Sequence, residues 1–203
     1  MRQLFKPHDL LWGFTVDMLS ADAPEWVGSV VAQALPVVVR RDLCATERIA
    51  VGIRGAQRWQ RYATDMPMKA VSCCIQPEQL TTVDLMQFPH LNQALSRVQS
   101  VMQDHAIRQW GYTGSVGYEL ATHLACVHQA SDIDLIIRCD QALSQSFAQQ
   151  LLQDFTDAQL NVDIQLQTPL GAIALKEWAS KRAKVLLKRQ DSAVLVSNPW
   201  AAS

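Results

Sequence analysis

The sequence has no charge excess. Its 203 residues carry 18 Lys and Arg against 19 Asp and Glu. The balance holds along the chain: 9 basic and 9 acidic residues in 1–90, 9 and 10 in 91–203. A general nucleic-acid binder ordinarily shows a strong basic excess, so no nucleic acid is expected as partner. No run approaches the ~20 apolar residues of a membrane span, and none is expected. MRQLFKPHDLLWGF, at the start, lacks the continuous apolar stretch of a secretory leader. The 5 cysteines (Cys44, Cys73, Cys74, Cys126, Cys139) are odd in number, form no CxxC and include one adjacent pair. That is no disulfide framework; reduced, mostly buried thiols in a cytoplasmic protein are expected. Also missing are an HExxH or Cys/His zinc spacing around the 5 histidines, a GxSxG serine nucleophile, and a P-loop or Rossmann fingerprint. There are no repeats and no low-complexity segment.

What is present centres on residues 110–134, WGYTGSVGYELATHLACVHQASDID. RQWGYTG reads as a short strand entering a Gly114-Ser115 turn, and VGYELATHLA resumes helical spacing. Strand, Gly-containing turn and helix start make an anion site, because free backbone N–H groups and the positive end of the helix dipole face outward. Gly114 suits a turn needing positive φ and close ligand approach. Ser115 can add a hydroxyl donor. SDIDLII then places Asp132 and Asp134 at the head of a Leu/Ile strand. Alternation puts both on one face with Cβ atoms about 6–7 Å apart. Two carboxylates so placed can converge on a divalent ion.

Residues 1–88 are expected to form a small α+β domain. PEWVGSVVAQAL has helical spacing with Pro at its start. PVVVRR, RIAVGIRG and MKAVSCCI look like strands. His8-Asp9 could be a catalytic pair, but such a dipeptide is more often a turn. Arg40, Arg41, Arg54, Arg58, Arg61 and Lys69 cluster by sequence, three of them beside Trp59 and Tyr62. They form either a solvated face whose stems cover apolar surface or a set of guanidinium forks for phosphate, with an aromatic to stack a base. TTVDLMQFPHL is the best linker candidate.

Residues 89–203 are expected to form the second domain. An apolar stripe marks a helix over 90–105, and another over about 141–155 carries Leu143, Phe147, Leu151, Leu152 and Phe155. AQLNVDIQLQ alternates: Leu160, Val162, Ile164 and Leu166 on one face, Asn161, Asp163 and Gln165 on the other. Asp163 could merely face water. In a strand paired beside SDID, about 4.8 Å away, it could also join the same metal site. GAIALKEWASKRAKVLLKR is expected as one helix rich in basic residues, a common pattern near a C-terminal dipole, and SAVLVSNPW as a strand and terminal turn.

Acids on adjacent strands beside an anion turn imply metal-assisted phosphoryl or nucleotidyl transfer, with one divalent ion or a pair at the carboxylates. A third acid could take or position the proton of an attacking hydroxyl.

Gly114-Ser115, Asp132-Ile133-Asp134 and Asp163 resemble the GS…DxD…D pattern of the nucleotidyltransferase superfamily that includes DNA polymerase β. One feature departs from it: 16 residues separate Ser115 from Asp132, more than is usual there, for the helix or the following loop to absorb. More narrowly, PHDLLW, PVVVRR, VGIRGAQRWQRYA, GSVGYELAT…SDIDLI and NPW look like the phosphoribosyl-dephospho-CoA transferases of malonate decarboxylase systems, also called holo-acyl-carrier-protein synthases. The resemblance runs nearly end to end. It implies transfer of the prosthetic group from triphosphoribosyl-dephospho-CoA to a serine of the apo acyl carrier protein subunit of malonate decarboxylase, releasing diphosphate. It further implies an α+β fold with a nucleotidyltransferase-like mixed-sheet domain. On it, Asp132 and Asp134 bind Mg²⁺, Gly114 and Ser115 hold the triphosphate, and Asp163 is the third acid. The arginines of the first half, Arg54, Arg58 and Arg61 among them, would meet the substrate phosphates or the carrier. Two alternatives remain on the residues alone: a nucleotidyltransferase that adenylylates another acceptor from ATP, and a non-catalytic module that binds nucleotide or carrier.

Overall fold

The computed structural model describes residues 5–57, 59–84, 86–128 and 131–201. The chain is α+β and divides into two compact units, Met1–Gln76 and Pro77–Ser203. The division comes before the expected boundary at residue 88. Segment 77–88 belongs with the second unit because Val83 and Phe88 are buried in that unit's core.

The first unit is an antiparallel sheet of 5 strands in the order β4-β3-β2-β1-β5. They are β1 (Leu10–Trp12), β2 (Val37–Val39), β3 (Arg48–Arg54), β4 (Arg61–Pro67) and β5 (Cys73–Ile75). Alternation in RIAVGIR sends Ile49, Val51 and Ile53 to one face, where they are buried with Leu11, Val37, Val39 and Met66. Helix α1 (Glu25–Val31) covers that face with Val27 and Val31. On the opposite face Arg54 pairs directly with Arg61 across the β3–β4 hairpin, and both are exposed. The stem of Arg40 crosses the same face at Gly52, where an added Cβ would meet its Cδ at 3.0 Å. Of the expected strands, MKAVSCCI narrows to β5, its first residues forming a 3-10 turn. Strands β1 and β4 were not expected. Asp9 is wholly buried and its carboxylate accepts the Lys6 N–H at 2.8 Å. His8 has φ 75° and donates its N–H to the Val39 carbonyl at 3.0 Å. His8 and Asp9 thus shape the turn into β1.

The second unit is a mixed sheet of 6 strands in the order β11-β10-β9-β8-β7-β6. Helix α2 (Asn92–Asp104) precedes β6 (Trp110–Tyr112), which runs through Thr113 into α3 (Gly114–Thr122). Strand β7 (Ile133–Arg138) is parallel to β8 (Val162–Thr168), joined by α4 (Gln145–Asp157), as a parallel pair requires a crossover. Val162, Ile164 and Leu166 are buried on one face of β8, in keeping with the alternation.

Segment 171–189 does not form one helix. It folds as β9 (Gly171–Ala174), α5 (Leu175–Ala179) and β10 (Val185–Lys188), closed by β11 (Ala193–Val196). Lys181 takes φ 54° just after α5, and the chain turns there. Beyond it the spacing is two-fold: Val185 and Leu187 are buried, Leu186 and Lys188 exposed. The final turn docks firmly. Trp200 donates its Nε1–H to the Cys139 carbonyl and the Thr168 hydroxyl donates to the Pro199 carbonyl, each at 2.8 Å.

All five cysteines are free thiols, but Cys44, Cys73 and Cys126 are exposed and only Cys139 is buried, so the expectation of mostly buried thiols is corrected. Among the described residues no helix is long and apolar enough to cross a membrane.

Candidate active site

The site is built where β6 turns into α3 beside β7. Gly114 has φ 58°, the left-handed region that L side chains rarely adopt. A Cβ there would lie 2.0 Å from Asp134 Oδ2. Both facts require glycine: the Asp134 carboxylate rests directly against the turn. The backbone is tied at the same point, with the Thr113 N–H donating to the Asp134 carbonyl at 2.9 Å. Three residues on, an added Cβ at Gly117 would meet the Tyr112 carbonyl oxygen at 2.4 Å. Glycine there lets α3 lie against the end of β6. The turn and first helical residues therefore sit close to β7 at Asp134. Thr113 precedes the helix without a side-chain cap bond.

The three acids take different positions. Asp134 is in β7 and half-buried. Asp163, in β8, is its direct partner in the parallel register and is exposed. Residues opposite one another on neighbouring parallel strands point to the same face, about 4.8 Å apart. Asp132 is exposed and lies one residue before β7 begins, so the strand is shorter at its head than SDIDLII implied. Ser115 is the second residue of α3. Among the described residues no group of three or more His, Cys, Asp or Glu side chains is gathered to hold a metal ion. The donors on offer are carboxylate oxygens, which suit a hard divalent ion. Mg²⁺ is ordinarily held by one or two carboxylates together with substrate phosphates, and does not need an all-protein cage.

Of the 16 residues between Ser115 and Asp132, 116–122 continue α3 and the described residues 123–128 and 131 lie outside helix and strand. The helix ends at Thr122, and His123 caps it with φ 58°, its N–H donating to the Glu119 carbonyl at 2.8 Å. The loop is then anchored by a residue that motif reading passed over. Glu119 is buried, and its Oε2 accepts the N–H groups of both Cys126 and Val127, each at 2.8 Å. The Cys126 thiol donates to the Ser115 carbonyl at 3.4 Å. Although the residue as a whole is exposed, its thiol is turned in towards Ser115, and that covering, reinforced by the Glu119 charge, pushes it up to about 11. Burial also pushes the Tyr118 hydroxyl up to about 12, with Cys126 adding to it. Neither group ionises near neutrality, so neither adds negative charge beside the turn. A Glu four residues into an apolar-looking helix gave no motif to find.

Of the arginines expected at a phosphate or carrier surface, Arg54 and Arg61 stand opposite each other in the β3–β4 register and are exposed, and Trp59, between them in sequence, is 75% exposed. Arg58 lies outside the described residues.

Comparison with known proteins fits this two-unit chain. Residues 6–77 match the family described as phosphoribosyl-dephospho-CoA transferase MdcG N-terminal domain. Residues 79–199 match the corresponding C-terminal domain. A phosphoribosyl-dephospho-CoA transferase of Pseudomonas fluorescens (strain Pf0-1) is 45% identical over 95% of this chain and 93% of its own length. One from Azotobacter vinelandii is 42% identical over 98% of this chain and 96% of its own; one from Pseudomonas aeruginosa is 38% identical over 96% and 93%. No solved structure matches. The chain is an α+β transferase. It belongs to the phosphoribosyl-dephospho-CoA transferase family.

Proposed function

We propose that the chain transfers the phosphoribosyl-dephospho-CoA group from triphosphoribosyl-dephospho-CoA to a serine of the apo acyl carrier protein subunit of malonate decarboxylase, with release of diphosphate. The observation that carries the site is the Asp134 carboxylate packed against Gly114, with Asp163 opposite it in register. The second unit is a nucleotidyltransferase-like catalytic domain of the DNA polymerase β type. Its strand–turn–helix ahead of a parallel acidic strand pair supports that assignment.

In this mechanism the free N–H groups at the start of α3 and the Ser115 hydroxyl hold triphosphate oxygens. Asp163 accepts the proton of the carrier serine as its oxygen bonds to the phosphorus nearest the ribose. The phosphorus–oxygen bond to diphosphate breaks in the same displacement. Mg²⁺ (or Mn²⁺) held by Asp132 and Asp134 would supply charge neutralisation for the departing diphosphate. The protein's own part is positioning and electrostatic stabilisation, with no covalent intermediate. The first unit recognises substrate or carrier, and Arg54, Arg58 and Arg61 are its contacts to phosphate or to the carrier.

The test is transfer to purified apo carrier, read as a mass shift and as diphosphate release. Asp132→Asn and Asp134→Asn should each lower the rate by at least roughly 100-fold, the scale expected when transition-state charge stabilisation is removed. Undiminished transfer by either variant removes that residue from the site. Label transfer from ATP, with none from the dephospho-CoA precursor, would replace this substrate with an adenylyl donor.

A further inference from the structure

The loop between α3 and β7 separates the two halves of the site, the turn that would hold phosphate and the acid that would hold metal. Its course is determined by a short series of hydrogen bonds. The Glu119 carboxylate, buried on α3, accepts both the Cys126 and the Val127 N–H at 2.8 Å. The next described residues bond to each other: the His128 N–H donates to Ser131 Oγ at 3.0 Å, and the Ser131 N–H donates to the His128 carbonyl at 2.8 Å. Asp132 follows immediately. On the other side, Cys126 reaches back to the Ser115 carbonyl. Glu119 thus lies one turn of helix beyond Ser115, and the last N–H it accepts, that of Val127, belongs to a residue four positions before Ser131.

A buried carboxylate is costly unless its oxygens are satisfied. Here one oxygen receives two backbone N–H groups, a charge-assisted arrangement stronger than neutral hydrogen bonds. Val127 packs against the second unit's core, so the anchored segment is also held by apolar contact. Glu119 acts through the chain it holds.

We infer that Glu119 is a positioning residue that sets where Asp132 stands relative to the Gly114–Ser115 turn. The inference rests on the proposed role of Asp132 in metal binding. Partners of this outer kind commonly change metal affinity or activity by 10–100-fold when removed.

The experiment compares wild type, Glu119→Ala, Glu119→Asp and Glu119→Gln in the full chain. Three readouts are taken: amide hydrogen exchange at Cys126 and Val127, Mn²⁺ affinity by electron paramagnetic resonance with inorganic triphosphate present, and the Mg²⁺ dependence of transfer. Glu119→Ala should expose both amides, weaken Mn²⁺ by roughly 10-fold or more, and raise the Mg²⁺ concentration needed for half-maximal rate. Glu119→Asp, one methylene short, should do the same while keeping the charge. Glu119→Gln keeps an acceptor oxygen and should recover most of the affinity. Unchanged Mn²⁺ affinity in Glu119→Asp, with the two amides exposed, overturns the inference. If Glu119→Ala does not fold, the Asp and Gln pair decides alone. Asp132→Asn is run alongside: normal Mn²⁺ affinity in that variant refutes the metal-site assignment itself, whereas a defect there with none in Glu119→Asp refutes only the role of Glu119.

Discussion

A side chain at position 114 would meet two penalties at once. Its φ of 58° costs a non-glycine residue about 1–2 kcal/mol, and its Cβ would stand 2.0 Å from Asp134 Oδ2. Gly114→Ala must therefore push the carboxylate away or unwind the first turn of α3. A displacement near 1 Å at a reacting centre can cost roughly 100-fold in rate, and transfer by this variant should fall at least that far, with a lower melting temperature. Thiol chemistry offers a second test at this scale. With its thiol pushed up to about 11, Cys126 holds only about one thiolate in a thousand at pH 8. Burial pushes Cys139 higher still, to about 12, with the Asp140 charge contributing. Cys73 is exposed at the surface. Peptide mapping after iodoacetamide treatment near neutrality should find Cys73 labelled well before Cys126, and Cys139 unlabelled until the protein unfolds. Equal labelling of Cys126 and Cys73 would contradict the environment described for Cys126.

Pairing of β7 with β8 sets two carboxylates side by side, Asp134 and Asp163. Like charges directly opposite on neighbouring strands destabilise by roughly 0.2–1 kcal/mol. Asp163→Asn should therefore raise the melting temperature in a chelating buffer, while Mg²⁺ with triphosphate should stabilise the wild type more than the variant. If Asp163 only faces water, melting curves of the two proteins will superimpose under both conditions. Much of this arrangement was legible beforehand. Alternation in AQLNVDIQLQ placed Asp163 on the polar face, and the Leu/Ile run after Asp134 marked β7. Register was not legible, because pairing depends on the crossover helix and on which strands are neighbours. The head of β7 was overestimated by the same logic: Asp132 fits the alternation, yet the ladder begins at Ile133. Segment 171–189 failed for a different reason. Its lysines and leucines satisfy helical spacing almost everywhere, and only the turn at Lys181 and the two-fold burial of Val185 and Leu187 show where the helix gives way to strand. Glu119 was invisible as an anchor, since its partners are backbone N–H groups that any sequence supplies.

The two units have separate hydrophobic clusters, one around Leu11, Val51 and Met66, the other around Leu135, Leu151 and Leu166. Pattern suggested two parts, the first ending near residue 88, and charge did not separate them. The boundary was not legible, because Val83 and Phe88 are few apolar residues in a polar stretch, and only packing shows to which core they belong. The proposed acids and helix-start turn all lie in the second unit, and recognition of substrate or carrier is the work proposed for the first. One feature of that first unit has an optical consequence. Of the 6 tryptophans, Trp12, Trp26 and Trp200 are partly covered and Trp110 and Trp178 buried, while Trp59 at the β3–β4 hairpin is 75% exposed. The long-wavelength edge of the intrinsic fluorescence, and the fraction that iodide can quench, should therefore arise mainly from Trp59. Addition of apo carrier or of the dephospho-CoA precursor should shift that edge to shorter wavelength and shield it from iodide if either lands on the hairpin. A Trp59→Phe protein, silent at the same wavelengths, tells that event apart from changes elsewhere.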